Sequence, residues 1–264
     1  MGIKNKNNDA LKQFLLLLIM VIVFLKSSQV LSEPKPNPDI FFKAANLYKN
    51  KEYEEAASLY KELIFERGIK NGGLYYNLGN CYVRMGEIGY GLFYYRIAER
   101  FIPRDEDLKY NINYVIDQRK DKVEKKEKLS LVSPLFFWYH YLNLKELWYI
   151  FLITNIFLGI ICIIVLYKKN DFIKWLRLVV LFFAIIFLVT FSLKLYSHYY
   201  ILDGVVLSTE INVRSGKGSR NSILFKLHNA TECRIVDREE EWIKIKLSEK
   251  EIGWVDKNVI GIIF

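Results

Sequence analysis

Three cysteines and three histidines are the residues of this chain best suited to nucleophilic or metal chemistry. Their spacing argues against both. Cys81, Cys162 and Cys233 are scattered, whereas metal sites and redox motifs bring cysteines within a few residues of one another. They read as small buried apolar side chains, with no disulfide. His140 and His198 flank apolar segments and would stand at one membrane face, where two imidazoles could be imagined as a metal or haem pair. Among so many tyrosines they read as interface residues. Gly216-Lys217-Gly218-Ser219 lacks the spacing of a phosphate loop, and Asn229-Ala230-Thr231 fits a glycosylation sequon only by chance. No catalytic constellation is visible, so the chain is expected to be no enzyme and to need no cofactor or metal.

Binding groups are a better prospect. Asn77, Asn80 and Arg84 recur at spacings that place them on one face of a helix. Amides and a guanidinium on an open face can pair with the backbone or carboxylates of a partner. Such a face needs a rigid helical frame, and the sequence around it supplies one.

Apolar residues form 52% of the 264 residues, and they are concentrated in three blocks. The first, residues 14–25, follows Lys4, Lys6 and Lys12. At about 18 Å of helix it is too short to cross a bilayer core of about 30 Å. With small residues Val30 and Ser32 behind it, residues 1–32 fit a signal peptide cut after Ser32. An uncleaved anchor is the other reading, and the absence of a cysteine near the cut argues against lipid attachment. Residues 147–167 carry no charge and reach about 31 Å as a helix, enough to span. Residues 175–196 are similar, with Arg177 and Lys194 near their ends, where long side chains reach the interface. The short connection 168–174 holds three lysines, and such loops stay cytoplasmic. Aromatic residues from Phe136 to Tyr149 and from Tyr196 to Tyr200 mark the other membrane face, so residues 134–200 form the membrane region. Residues 134–147 could lie on that surface as a short helix.

Net charge adds little. The formal +9 falls to +6 without residues 1–32, which hold four lysines and one aspartate. Residues 34–128 hold 18 basic and 15 acidic side chains, and residues 203–264 hold ten of each. No basic face offers itself to nucleic acid.

Tyr75, Leu78, Gly79, Tyr82, Gly86, Ile88, Gly91, Tyr95, Ala98 and Pro103 stand at the spacing of a tetratricopeptide repeat. Two antiparallel helices would cross closely where Gly79 faces Gly91, and Pro103 would end the second. A weaker copy runs through Ala44, Leu47, Tyr48, Tyr53, Ala56, Tyr60 and Leu63. A further helix would bury Leu108, Ile112 and Val115 before the charged run 119–128, which reads as a solvated helix end or linker. Residues 38–128 thus resemble a short tetratricopeptide domain, a fold whose concave surface holds peptides or partner helices. The resemblance places Asn77, Asn80 and Arg84 in that groove. The asparagines match part of the carboxylate-gripping set of some such domains, although Phe41 and Ala45 stand where that set has Lys and Asn.

From residue 203 the period changes from helix to strand. Residues 205–207, 211–214, 231–236, 242–246 and 253–255 read as five short strands of a small barrel. Ile211-Asn212-Val213-Arg214-Ser215-Gly216, Trp242-Ile243-Lys244-Ile245 and Gly253-Trp254-Val255 are similar to bacterial SH3 domains, with Lys217 where that family has proline. The resemblance marks Asn212, Arg214, Trp242 and Trp254 as the motif of residues 203–264 and implies a taste for cell-wall or partner peptides.

The order of the parts resembles the BatE-type proteins of the Bacteroides aerotolerance operon: leader, tetratricopeptide repeats, two transmembrane helices, all-β SH3-like barrel. The strings Tyr75-Tyr76-Asn77-Leu78-Gly79-Asn80 and Pro103-Arg104-Asp105-Glu106-Asp107 carry that likeness. It implies a cytoplasmic-membrane protein with both soluble domains outside the cytoplasm, set among membrane proteins of an envelope complex linked to oxidative stress. The expectation is therefore a scaffold or adaptor that binds protein partners. A sensor or accessory subunit of an envelope enzyme is the alternative, although a seven-residue loop leaves little room for cytoplasmic output.

Overall fold

The computed structural model describes residues 38–122, 137–168 and 170–263. The expected leader and the charged run beyond residue 122 lie outside the described residues. The chain divides into two units, one built from residues 34–143 and 196–264 and the other holding residues 144–195.

Five helices open the larger unit: α1 (Pro38–Lys49), α2 (Tyr53–Lys61), α3 (Gly72–Arg84), α4 (Ile88–Phe101) and α5 (Glu106–Gln118). A π-helical turn, Glu62–Glu66, prolongs α2. Each helix packs on the next in sequence. Their starts are set by side-chain caps: Asn71 accepts the Gly73 N–H at 2.8 Å, and Asp105 accepts the Leu108 N–H at 2.8 Å. Both satisfy donors that a first turn leaves without helical partners. Gly86, at φ +84°, closes α3 in a conformation that costs other residues strain.

The α3–α4 crossing is the tightest of the array. A Cβ on Gly79 would lie 2.6 Å from the Tyr95 ring and 3.2 Å from the Gly91 carbonyl oxygen. One on Gly91 would lie 2.4 Å from Val83. The two glycines therefore let the backbones meet, and Leu78, Leu92, Tyr95 and Ala98, all at most 1% exposed, fill the space beside them.

The same unit contains a seven-stranded antiparallel sheet: β1 (Asp203–Val206), β2 (Glu210–Arg214), β3 (Ile223–His228), β4 (Glu232–Arg238), β5 (Trp242–Lys246), β6 (Ile252–Asp256) and β7 (Ile260–Ile263). Their spatial order is β3-β2-β6-β5-β4-β1-β7. Val213, Ile243, Ile245 and Val255 are fully buried on its inner face, and their strand neighbours point outward as the pleat requires. Two strands exceed the five expected. β3 is an edge strand with Ile223 and Leu224 exposed, so no alternation marks it. β7 lacks alternation for the opposite reason: Gly261 lies under the Phe93 ring of α4, and the residues on both sides of it face the core.

Helices and sheet are docked. The helical core continues into Val205, Ala230 and Ile263 of the sheet. Gly89, at the start of α4, sits so close to the chain after β1 that a Cβ there would lie 2.6 Å from the Val206 carbonyl oxygen. Polar clasps line the seam. Asp121 accepts the His228 backbone N–H and the Thr231 hydroxyl through Oδ2, both at 2.7 Å, and faces His228 Nδ1 through Oδ1 at 2.8 Å. Lys120 Nζ reaches His228 Nε2 at 2.9 Å, so the partners fit a ring that donates from Nδ1 and accepts at Nε2. Arg96 and Arg119 both meet Glu232, at 2.7 and 3.6 Å. The start of the charged run is thus no solvated linker: the Arg119 side chain is 8% exposed. Burial pushes the Asp121 carboxyl up, but the bonds from Thr231 and His228 outweigh it and hold the group below its usual range.

A short helix, α6 (Phe137–Tyr141), is followed by α7 (Leu144–Tyr167) and α8 (Asp171–Tyr200), which are 24 and 30 residues long. Both are long and apolar enough to cross a membrane. They extend the expected spans 147–167 and 175–196 at their ends. Their apolar side chains point all round: Ile153, Phe157, Leu178, Phe182 and Leu193 are 55–62% exposed. A helix apolar on every side is at home in a protein core or in lipid, and these side chains are not in the protein's core. Trp148 of α7 meets Phe191 of α8 with ring centres 5.4 Å apart. Thr154, Asn155, Thr190 and Ser192 each bond the carbonyl four residues earlier at 2.7–2.8 Å. Those bonds give the side chains partners without water, as a hydrocarbon setting requires.

Candidate binding surface

The residues singled out for binding sit on α3, but two of the three are already engaged within their own chain. Asn77 is hydrogen-bonded to Tyr60 of α2. Asn80 accepts the Tyr95 hydroxyl at 2.6 Å and the Asn111 amide at 3.1 Å, and is hydrogen-bonded to Tyr76 as well. Asn111 also donates to the Tyr76 hydroxyl at 3.0 Å. This polar cluster ties α3, α4 and α5 together, and burial raises the phenols of Tyr60, to about 12, and of Tyr95. Spacing along α3 shows a polar face but cannot show Tyr60 of α2 and Tyr95 of α4 closing over it.

Asn80→Ala is accordingly expected to destabilise the array. It would strip the Tyr95 hydroxyl of its acceptor, at about 1–3 kcal/mol for a buried group left unpaired, and leave the Asn111 amide with the Tyr76 hydroxyl alone. The midpoint of thermal unfolding, followed by circular dichroism on the detergent-solubilised chain, should fall by several degrees. An unchanged midpoint would show that these bonds contribute nothing.

Arg84 is different. It is exposed, and its Nε reaches the Tyr48 hydroxyl only at 3.5 Å. Tyr53 and Tyr114 are near enough for their phenols to act on its charge. Tyr48 belongs to α1 and Tyr114, 48% exposed, to α5. A cation therefore stands near phenols from α1, α2 and α5. The residue class was visible in the sequence; the rings of Tyr48 and Tyr114 beside it were not.

On the sheet, Arg214 and Trp254 are directly opposite across β2 and β6, and Lys244 is opposite Trp254 across β5. The Trp254 ring carries Lys217 Nζ at 4.8 Å and Lys244 Nζ at 5.8 Å from its centre, within cation–π range. Lys217 is paired with Glu239, and Arg214 donates to the Asn221 carbonyl at 2.8 Å. Asn212 and Trp242 do not join this row: Asn212 is opposite Lys226, and Trp242 is opposite Asp256.

The remaining reactive side chains are accounted for by packing. Cys81 and Cys233 are buried, which pushes both thiols up to about 12 and keeps them protonated; Asp203 and Glu232 add to the effect at Cys233. Thr231 of the sequon is fully buried, and its hydroxyl is spent on Asp121. His198 Nδ1 lies 3.0 Å from Arg100. Among the described residues no three His, Cys, Asp or Glu side chains gather as a metal site would require.

No protein-family model matches the chain, and no curated protein matches its sequence.

Proposed function

We propose that the chain is a membrane-anchored scaffold of a cell-envelope complex, of the BatE type that its residue pattern resembles. On this reading α1 to α5 are a short tetratricopeptide array, α7 and α8 are the anchor, and the sheet is an SH3-like barrel that takes wall or partner peptides through Arg214 and Trp254. The repeats take a segment of another membrane protein. The observation that carries the reading is Arg84, exposed near the phenols of Tyr48, Tyr53 and Tyr114 from α1, α2 and α5. Rigid aromatic rings around an arginine are the usual composition of a binding hot spot.

Two further facts support the membrane part. The helical array and the sheet dock on each other, so they share one side of any membrane, as an even number of crossings between them requires. The lysines of the short connection favour the cytoplasm for the turn and hence the outside for the docked unit.

Arg84 tests the function. Arg84→Glu should cut recovery of the crosslinked partner from solubilised membranes at least tenfold, since a lost charge-assisted bond contributes about 1.5–3 kcal/mol. Arg84→Lys should retain part of it, and helix content should be unchanged in both. Full recovery with Arg84→Glu would move the contact away from this face.

A further inference from the structure

The seam between α4 and the sheet leaves an open cavity of about 530 Å³, a volume in the range of small-molecule sites. It lies away from the Arg84 face, and its chemistry is independent of the scaffold reading. Charged groups line it: Arg96, Glu99 and Arg100 from α4, and Asp203, Lys246 and Glu249 among those from the sheet. Nearly all of its cations are matched. Arg96 holds Glu99 at 2.8 Å and Glu232 at 2.7 Å, Arg234 faces Asp203 at 3.4 Å, and Lys246 holds Glu249 at 2.8 Å.

Arg100 is the exception. Its half-buried guanidinium meets His198 Nδ1 at 3.0 Å and, weakly, the Ile263 carbonyl at 3.5 Å. Among the described residues no carboxylate lies within ion-pair distance of it. Burial works against its charge, and Asp203 offsets only part of that. A partly desolvated guanidinium with spare N–H groups beside an open cavity is a receptor for an anion, and its planar fork suits a carboxylate. The wall also selects the ligand's other end. Glu99, Asp203, Glu232 and Glu249 stand beside the four cations of the lining, so the wall is balanced in charge and suits a zwitterion, itself neutral overall, better than a phosphate dianion. Glu99 spends Oε2 on Arg96 and is 37% exposed, which leaves its other oxygen accessible.

We propose that this cavity binds a small zwitterion, a free amino acid or dipeptide, with its carboxylate on Arg100 and its ammonium on Glu99.

The test uses the full chain in detergent, titrated with glycylglycine and with each free amino acid in turn, followed by calorimetry and thermal unfolding. At least one of these should bind saturably and raise the midpoint. Amidating its carboxylate or acetylating its amine should weaken it at least tenfold. Arg100→Gln should do the same, and Arg100→Lys should weaken binding less. Glu99→Gln gives a second handle, expected to lower affinity for the zwitterion and leave the N-acetyl form unaffected. Three results would overturn the proposal: no binding by any of these compounds, equal stabilisation by inorganic phosphate, or wild-type affinity in a folded Arg100→Gln protein. If Arg100→Gln does not fold, undiminished affinity in Glu99→Gln overturns it.

Discussion

Gly79→Leu should unfold the helical array at a markedly lower temperature. Even the first added carbon would lie 2.6 Å from the Tyr95 ring, with the Gly91 carbonyl oxygen 3.2 Å away on the other side. Tyr95 cannot swing aside cheaply, because its hydroxyl is bonded to Asn80 and its ring is 1% exposed. Overpacking costs about 1–3 kcal/mol, occasionally more, and leucine adds three further carbons to that clash. In a unit of this size each kcal/mol lowers Tm by about 2–4 °C, so a fall of about 5–10 °C is expected. Gly86→Ala is the control. It has nothing within 4 Å but sits at φ +84°, so it should cost only the left-handed strain of about 1–2 kcal/mol. A Gly79→Leu protein that melts with the wild type would mean that α3 and α4 do not cross as described.

Asp121→Ala should have an effect of similar size, felt at the seam. Three donors lose their acceptor together: the His228 N–H, the His228 ring and the Thr231 hydroxyl. Thr231 is fully buried, so water cannot replace the carboxylate without opening the seam, and the loss should be on the order of 3 kcal/mol. Amide hydrogen exchange at His228 should accelerate, because that N–H is protected by the carboxylate rather than by a strand partner. The pH dependence follows from the downward shift of Asp121. A carboxyl depressed in the folded state contributes stability that is present above its unfolded value, about 3.9, and lost as pH falls through the folded one. The gap in Tm between wild type and Asp121→Ala should therefore still be present at about pH 5 and shrink below about 4. A gap that does not change through that acid range would mean the charged carboxylate is not what holds the seam.

Much of the helical part can be read from spacing alone, because its information is local. Tyr75, Leu78 and Tyr82 recur on one face, Gly79 and Gly91 mark the crossing, and Pro103 follows the end of α4. The apolar blocks mark α7 and α8 for the same reason. Strands β3 and β7 escape because their burial is set by distant neighbours: Ile223 and Leu224 stay about half exposed, whereas Phe93, far back in the chain, covers Gly261. The seam is illegible for the same reason. Asp121 and Thr231 look like ordinary surface residues until 110 positions of chain have been folded between them. At the candidate surface, spacing identified Asn77 and Asn80 as polar positions on α3. It could not reveal that Tyr60 and Tyr95 already occupy them, so Arg84 is the member of the set left to meet a partner.

The seam also has a consequence during synthesis. Everything on the helical side of it, through Asp121, leaves the ribosome before α7, and everything on the sheet side comes after α8. The half made first must wait with Gly89 and Phe93 of α4 uncovered until both intervening helices have been placed. With both threaded through a bilayer, the two halves emerge on one face and can close on each other. With only one threaded, they are stranded on opposite faces, and Asp121 never finds His228. Closing so long a loop costs little more than closing one of half the length, so the delay is one of order rather than of entropy.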